Sequence, residues 1–252
     1  MRYVLRAALA ASLLALPACG SPDGIVAKAP SPSATATAPG PFRRTPLPAR
    51  TAAAFPAYAV HATGASVGVY DKPGGRVVRT FANPQPSGAP LVFLLVTDQR
   101  DWLRVQLPAR PNGSTGWVRR ADVSVRGVAY RVDVLRGAHE LRLYEHGVLV
   151  RTFPVGIGTS RTPTPGGTFY LKELLRPPNP NGDYGPYAYG LSGFSNVLSS
   201  FNGGDGVIGI HGTNDPSSVG RDVSHGCIRL RNADVTYLAE RLPLGTPVRI
   251  LA

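Results

Sequence analysis

Val207-Ile208-Gly209-Ile210-His211-Gly212-Thr213-Asn214-Asp215 is followed, after a short polar interval, by Ser224-His225-Gly226-Cys227-Ile228-Arg229-Leu230, and these two segments decide how the chain is read. Val207 to His211 is a nearly unbroken apolar run, the pattern of a strand buried on both faces. A histidine at the end of such a strand is held rigidly, and Cys227 stands sixteen positions beyond it. A free thiol titrates near pH ~8.5, so Cys227 needs an adjacent base or cation to become a useful nucleophile near neutrality, and an imidazole supplies that. His211 is therefore the candidate general base and, later in a cycle, general acid. Gly226 has no side chain just ahead of the thiol, so a substrate can approach the backbone and N–H groups there can face a developing oxyanion. Ser224 and His225 shape the turn, with His225 an alternative participant in the proton chemistry. Arg229 offers a fixed fork for a carboxylate; a surface ion pair is its structural alternative.

Outward from this block the sequence is β-rich. Tyr130, Val132 and Val134 alternate with polar positions, as do Leu141 and Leu143, and Val148 to Val155 follows a turn at His146-Gly147. Thr168 to Leu171 and Thr246 to Leu251 read as further strands. One helix is expected, capped by Asn232, with Val235, Leu238, Ala239 and Leu242 on one face and Pro243 and Gly245 ending it. Arg176 to Gly206, with Tyr184, Tyr187 and Tyr189 among repeated Pro, Asn and Gly, reads as a loop without regular structure and a candidate lid over the thiol. Gly203-Gly204-Asp205-Gly206 reads as a tight turn.

Upstream, Ser66 to Tyr70, Val77 to Phe81, Leu91 to Thr97, Trp102 to Leu107 and Gly116 to Val118 are short β-type runs punctuated by Gly, Pro, Asn and Asp, which predicts a small all-β domain over 56–126. Trp102 and Trp117 are expected as core filler, with a ligand platform as the alternative. Seven prolines and nine alanines in residues 20 to 55, without apolar periodicity, predict an extended tether. Residues 1–18 have a basic start and a short apolar stretch too brief to cross a bilayer, so they read as a signal peptide. Leu16-Pro17-Ala18-Cys19-Gly20 resembles the bacterial lipoprotein signal, which implies lipidation of Cys19, attachment of 19–55 to a membrane and an extracytoplasmic site. Cleavage after Ala18 and secretion to the cell wall is the alternative.

The 252 residues allow one or two domains, and 29 glycines with 25 prolines argue against a helical bundle. The net charge of +12 points to an anionic partner. No run of basic residues interleaved with aromatics and no zinc-finger spacing is present, so nucleic acid is not expected. Cys19 and Cys227 are the two cysteines, and with Cys19 acylated the second has no disulfide partner. His211, His225 and Cys227 have Asp215 and Asp222 nearby, but no HExxH or CxxC pairing occurs, and no metal or other cofactor is expected. His61, His139 and His146 read as surface residues.

The His211 to Ser224-His225-Gly226-Cys227-Ile228-Arg229 arrangement resembles the L,D-transpeptidase catalytic domain. The resemblance extends over 127–252 and includes Val155-Gly156-Ile157-Gly158, Thr162-Pro163-Thr164-Pro165-Gly166 and Asn232-Ala233-Asp234. It implies a β-sandwich or barrel with one short helix, and a thioester enzyme of peptidoglycan stem peptides that expels D-alanine and forms 3-to-3 crosslinks. It further implies inhibition by carbapenems, a carbonyl near Gly212 orienting His211, and a lid over the cleft, for which Tyr187 is the substrate-binding candidate. Asp215 is an alternative orienter. Hydrolysis at the same thioester, protein anchoring to the wall, and a non-enzymatic wall-binding lipoprotein are the rival functions. Asp101-Trp102-Leu103-Arg104-Val105 with Gly116-Trp117-Val118 resembles the bacterial SH3-like domains attached to wall enzymes, so the chain as a whole is expected to be mainly β, a small SH3-like barrel followed by the catalytic domain.

Overall fold

Valines, leucines and aromatic residues at alternate positions form two antiparallel-rich sheets in the computed structural model, which describes residues 57–200 and 204–252. The expected signal peptide 1–18, Cys19 and the tether 19–55 lie outside the described residues, as does Gly203 of the expected turn.

The first sheet contains β1 (Ala57–Ala62), β2 (Ser66–Tyr70), β3 (Val77–Ala82), β4 (Val92–Gln99), β5 (Trp102–Gln106), β6 (Thr115–Arg119) and β7 (Val123–Val128), in the order β3-β2-β6-β5-β4-β1-β7. Val67 and Val69 of β2, Leu103 and Val105 of β5, and Val118 of β6 point into one core with Val60, Leu91 and Phe93. Each such burial is worth on the order of 1.5–3 kcal/mol. The two-residue period turns the intervening residues outward. Trp102 and Trp117 are among these and are half-buried, not core filler: Trp102 meets Tyr70 edge-on at 4.9 Å, and the Arg119 guanidinium lies 5.8 Å from its ring centroid. Strands β1 and β7, which the sequence pattern did not mark, pair with each other over six residues.

The second group comprises β8 (Tyr130–Leu135), β9 (Glu140–Glu145), β10 (Val148–Pro154), β11 (Ile157–Gly158), β12 (Gly167–Leu175), β13 (Ala188–Phe194), β14 (Val207–His211), β15 (Asp222–Ser224), β16 (Ile228–Arg229), α1 (Asn232–Ala239) and β17 (Pro247–Leu251). Eight of these strands form one sheet in the order β10-β9-β8-β17-β12-β13-β14-β16, and β11 pairs with β15 beside it. Its core gathers Val132, Leu141, Phe169, Leu171, Leu191, Ile208, Ile210, Ile228 and the α1 residues Val235 and Leu238.

Three expectations are corrected here. The 176–206 segment is not wholly irregular, because Ala188–Phe194 is an interior strand between β12 and β14. Its Gly, Ser and Tyr content conceals that Tyr189 and Leu191 alternate into the core. Asn232 does not cap α1; Arg231 occupies the cap position, with no side-chain cap. His139 is not a solitary surface residue, since its Nε2 lies 2.8 Å from Asp222 Oδ1, and His61 and His146 are half-buried.

The first sheet is tied to the second by polar contacts. Gln106 Nε2 donates to the Thr168 carbonyl at 2.6 Å, Arg110 Nη1 to the Ser195 carbonyl at 2.7 Å, and Asn112 Nδ2 to the Phe194 carbonyl at 2.8 Å. Ala59, Val92 and Val128 form a further apolar cluster with Leu244 packed against it.

Candidate active site

Strand β14 has one apolar face and one cleft face. Ile208 and Ile210 enter the core, while Val207, Gly209 and His211 look into the cleft, so the run is apolar throughout without being buried in apolar surroundings on both sides. Parallel pairing of β14 with β16 sets His211 opposite Arg229. It also brings Gly209 beside Cys227, whose Sγ accepts the Gly209 N–H at 3.4 Å. A Cβ added to Gly209 would lie 3.7 Å from His211 Cδ2 and 3.9 Å from Cys227 Sγ, so the imidazole and the thiol flank one small opening.

His211 Nδ1 is 2.6 Å from the Gly212 carbonyl oxygen. A carbonyl only accepts, so Nδ1 carries the proton and Nε2 is left as the acceptor of the neutral ring. Burial lowers the His211 pKa to about 4, with the Arg229 charge acting the same way. Burial also raises the Cys227 thiol above its ordinary value, opposed by the Gly209 hydrogen bond and the Arg229 charge. The resting pair is thus a neutral imidazole and a neutral thiol, a base and a latent nucleophile facing one opening. Asp215 does not orient the ring, since its Oδ1 accepts the N–H and hydroxyl of Ser217 at 3.1 and 2.5 Å.

The nucleophile turn is fixed from inside. Ser224 Oγ donates to the Cys227 carbonyl at 2.6 Å and accepts the Gly226 N–H at 3.1 Å. Gly226 has φ +117°, a region that favours glycine, and a Cβ there would meet Ile208 Cδ1 at 3.0 Å. The Thr162-Pro163-Thr164 turn clamps the same loop: Thr162 Oγ1 donates to the Ser224 carbonyl at 3.1 Å and Thr164 Oγ1 to the Gly226 carbonyl at 2.9 Å. On the other side, Asn232 Oδ1 accepts the Thr213 N–H at 2.8 Å and lies where a Cβ on Gly212 would stand, so this asparagine holds the loop after His211.

A cleft of about 700 Å³ runs from Cys227 and His211 along β14, β13 and β12, and a smaller opening of about 260 Å³ reaches the thiol from the side of Ser224, His225 and Arg229. Tyr184 lines both, its ring 4.8 Å from the His211 ring. Tyr187 lines neither; it packs against the core with the Arg176 guanidinium 5.4 Å from its centroid. Exposed His225 lines the small opening, and the Arg229 Nε beside it is buried without a hydrogen-bond partner. Among the described residues no group of three or more His, Cys, Asp or Glu is arranged to hold a metal ion.

The sequence reading thus named Cys227, His211, Gly212, Ser224, His225, Gly226 and Arg229, which the structure gathers at one place. It assigned no task to Thr164, gave Asn232 to a helix cap and not to the Thr213 N–H, and named Tyr187 for the cleft that Tyr184 lines. A hydroxyl or amide whose partner is a backbone group 62 or 19 residues away leaves no local sequence signal.

Residues 129–250 match the YkuD family model, described as the L,D-transpeptidase catalytic domain. The chain is 43% identical over 123 residues to the L,D-transpeptidase YkuD of Bacillus licheniformis, an overlap of 49% of this chain and 66% of that protein. It is 35% identical over 150 residues to YkuD of Bacillus subtilis, covering 57% of this chain and 83% of the relative. Among solved structures, L,D-transpeptidase 3 from Mycobacterium tuberculosis in complex with a faropenem-derived adduct is similar at 17% identity with a TM-score of 0.41, over 57% of this chain and 76% of that one. The match of 129–250 to the family model, and a relative 35% identical of which the chain covers 83%, lead to one assignment: the chain belongs to the L,D-transpeptidase family.

Proposed function

We propose that the protein is a peptidoglycan L,D-transpeptidase that forms 3-to-3 crosslinks through a thioester on Cys227. The observation that carries this reading is the flanking of one opening by Cys227 and His211, with Nδ1 of His211 committed to the Gly212 carbonyl and Nε2 left to take the thiol proton. In the first half-reaction Sγ attacks the carbonyl of the diamino acid at the third stem position while its proton passes to Nε2. The tetrahedral centre collapses, the bond to D-alanine breaks, and the departing amine takes that proton. In the second half-reaction an amine of another stem attacks the thioester, its proton passes to Nε2, and the thiol is restored. The acyl bond energy is conserved throughout, so neither nucleotide nor metal enters the balance.

The donor lies along the larger cleft and the acceptor enters by the smaller opening, where Arg229 attracts stem carboxylates. The Gly226 N–H is held by Ser224 Oγ, which leaves the Cys227 N–H as the oxyanion donor at this turn. Carbapenems acylate Cys227 in the same position. Residues 56–126 form an SH3-like wall-directed domain and 127–252 the catalytic domain; 1–18 is a signal peptide, and Cys19 carries the lipid that tethers the protein through 19–55 to an extracytoplasmic membrane face.

Incubation with a disaccharide tetrapeptide, followed by mass spectrometry of protein and products, tests the reading. An acyl adduct that loses D-alanine, plus a crosslinked dimer, is expected, and neither with Cys227→Ala. Tripeptide without dimer would instead identify an L,D-carboxypeptidase, and identical spectra for the two proteins would remove the enzymatic reading altogether.

A further inference from the structure

A register shift decides which way Glu173 points. Strand β12 pairs Leu171 with Leu191, and then the register shifts so that Glu173 stands opposite Gly190. Leu171 and Leu191 lie in the core. Without the shift, Glu173 would follow Leu171 onto the core face; the irregularity turns its carboxyl to the cleft instead, as β-bulges do beside functional sites. Glu173 lines the same cleft as His211 and Cys227 and is 7% exposed.

Between that carboxylate and the thiol the cleft floor carries no side chains. Gly190 pairs with Gly209, whose N–H reaches Cys227 Sγ. A Cβ on Gly190 would come within 2.5 Å of Glu173 Oε1, and one on Gly209 within 3.9 Å of Sγ. With neighbouring strands about 4.8 Å apart, the lane from sulfur to carboxylate is roughly 10 Å long.

The far end of the lane is built partly by the first sheet. Ser87, in the connection between β3 and β4, donates its hydroxyl to Glu173 Oε2 at 2.5 Å, and Gln85 of the same connection donates to the Lys172 carbonyl at 3.1 Å. Lys172 Nζ lies 2.8 Å from Oε1. A carboxylate offers about four lone-pair sites, so one more donor arriving from the cleft can be accommodated. Asp205 is a second acidic residue on the cleft wall, and Arg176, the cation there, stacks on Tyr187.

We infer that Glu173, braced by Ser87, is the subsite for a side-chain ammonium of the acyl donor, carried about six bonds from the carbonyl that Cys227 attacks. Such a chain spans about 7 Å when extended, and with the bond to sulfur and one ammonium–carboxylate contact it fills the lane. This rests on the thioester reading above, which it deepens by assigning Glu173 and Ser87 to the side-chain amine of the donor's diamino acid and so giving the connection between β3 and β4 a part in recognition.

The test uses the whole chain and two tetrapeptide donors that differ only in the third residue's side-chain amine, free in one and acetylated in the other; Cys227 acylation is followed by intact mass, with a carbapenem as a third acylating agent. Wild type is expected to favour the free-amine donor by about 10-fold or more in kcat/KM. Glu173→Gln, which keeps the size and can still accept from Ser87, is expected to bring that ratio to about twofold or less, and Ser87→Ala to an intermediate value. The ratio is internal to each protein, so a general loss of fold moves both donors together. Equal rates on both donors in wild type, or a ratio unchanged by Glu173→Gln, overturn the subsite and leave the thioester reading standing. No acylation of wild type by either donor or by the carbapenem overturns the thioester reading and the subsite with it.

Discussion

Thr164 holds the carbonyl of Gly226 at 2.9 Å through Oγ1, while the same oxygen accepts the Gly158 N–H at 2.9 Å. The threonine is 1% exposed and forms a buried pin between the 158–166 turn and the residue before the nucleophile. Thr164→Val keeps the shape and removes both bonds, leaving a buried N–H and a buried carbonyl unpaired. Two such losses cost about 2–4 kcal/mol. The expected outcome is that much destabilisation in urea unfolding, with the acylation rate at saturating donor falling about 10-fold because Sγ is no longer fixed. Thr164→Ser, which keeps the hydroxyl, is expected to recover most of the rate. A Thr164→Val protein with normal stability and normal rate would show that the pin is idle.

His211 makes stability depend on pH in a defined window. Its folded pKa is about 4, lowered by burial, against an ordinary value of 6.5. The unfolded chain therefore binds the proton more readily, so the contribution is complete above pH 6.5 and is lost as pH falls toward 4. The difference corresponds to about 3 kcal/mol. Unfolding free energy measured from pH 7.5 to 4 is expected to fall more steeply in wild type than in His211→Gln, whose curve lacks this step. Parallel curves would mean that the imidazole titrates alike in the folded and unfolded chains and that burial does not lower its pKa.

How much of this was legible in the sequence follows from the range of the contacts. The β-type of the elements was visible because Val67 with Val69, Leu103 with Val105 and Val132 with Val134 alternate locally. The nucleophile and its base were visible because their chemistry is carried by rare residue types in a recognisable order. Strand β13 was hidden because its core face is only Tyr189 and Leu191, interleaved with Gly190 and Ser192 of a turn-like composition; Gly190 is explained by its partners Glu173 and Gly209, and Ser192 by the Tyr170 N–H that its hydroxyl accepts. Asn232 was misread for a related reason: an asparagine before a helix is usually a cap, and only the folded loop reveals that Thr213 is its donor.

Asn232 accordingly has a measurable task. Asn232→Ala removes the acceptor for the Thr213 N–H and the contact against Gly212, so the loop that fixes Nδ1 of His211 loosens. About 1–2 kcal/mol of stability is expected to be lost, with kcat reduced about 5- to 20-fold and donor KM changed much less, since the residue touches no substrate. Asn232→Asp retains an acceptor oxygen and is expected to restore part of kcat. Equal losses in kcat and in donor binding would move Asn232 into substrate recognition.

Arg229 connects the two titrations at the site. Its charge lowers the pKa of His211 and that of Cys227 alike, although burial is the larger influence on each. Removing the charge therefore moves both groups upward. For Arg229→Gln, the pH profile of Cys227 alkylation by iodoacetamide is expected to shift to higher pH on its alkaline limb, where the thiolate forms. The acid limb of carbapenem acylation, set by His211, is expected to shift upward as well. Less thiolate character at neutral pH slows alkylation there. Arg229→Lys keeps the charge and is expected to leave both limbs near their wild-type positions, while weakening recognition of carboxylate-bearing acceptors because the fork is lost. If the two limbs of Arg229→Gln move in opposite directions, or neither moves, the guanidinium acts through packing and not through its field.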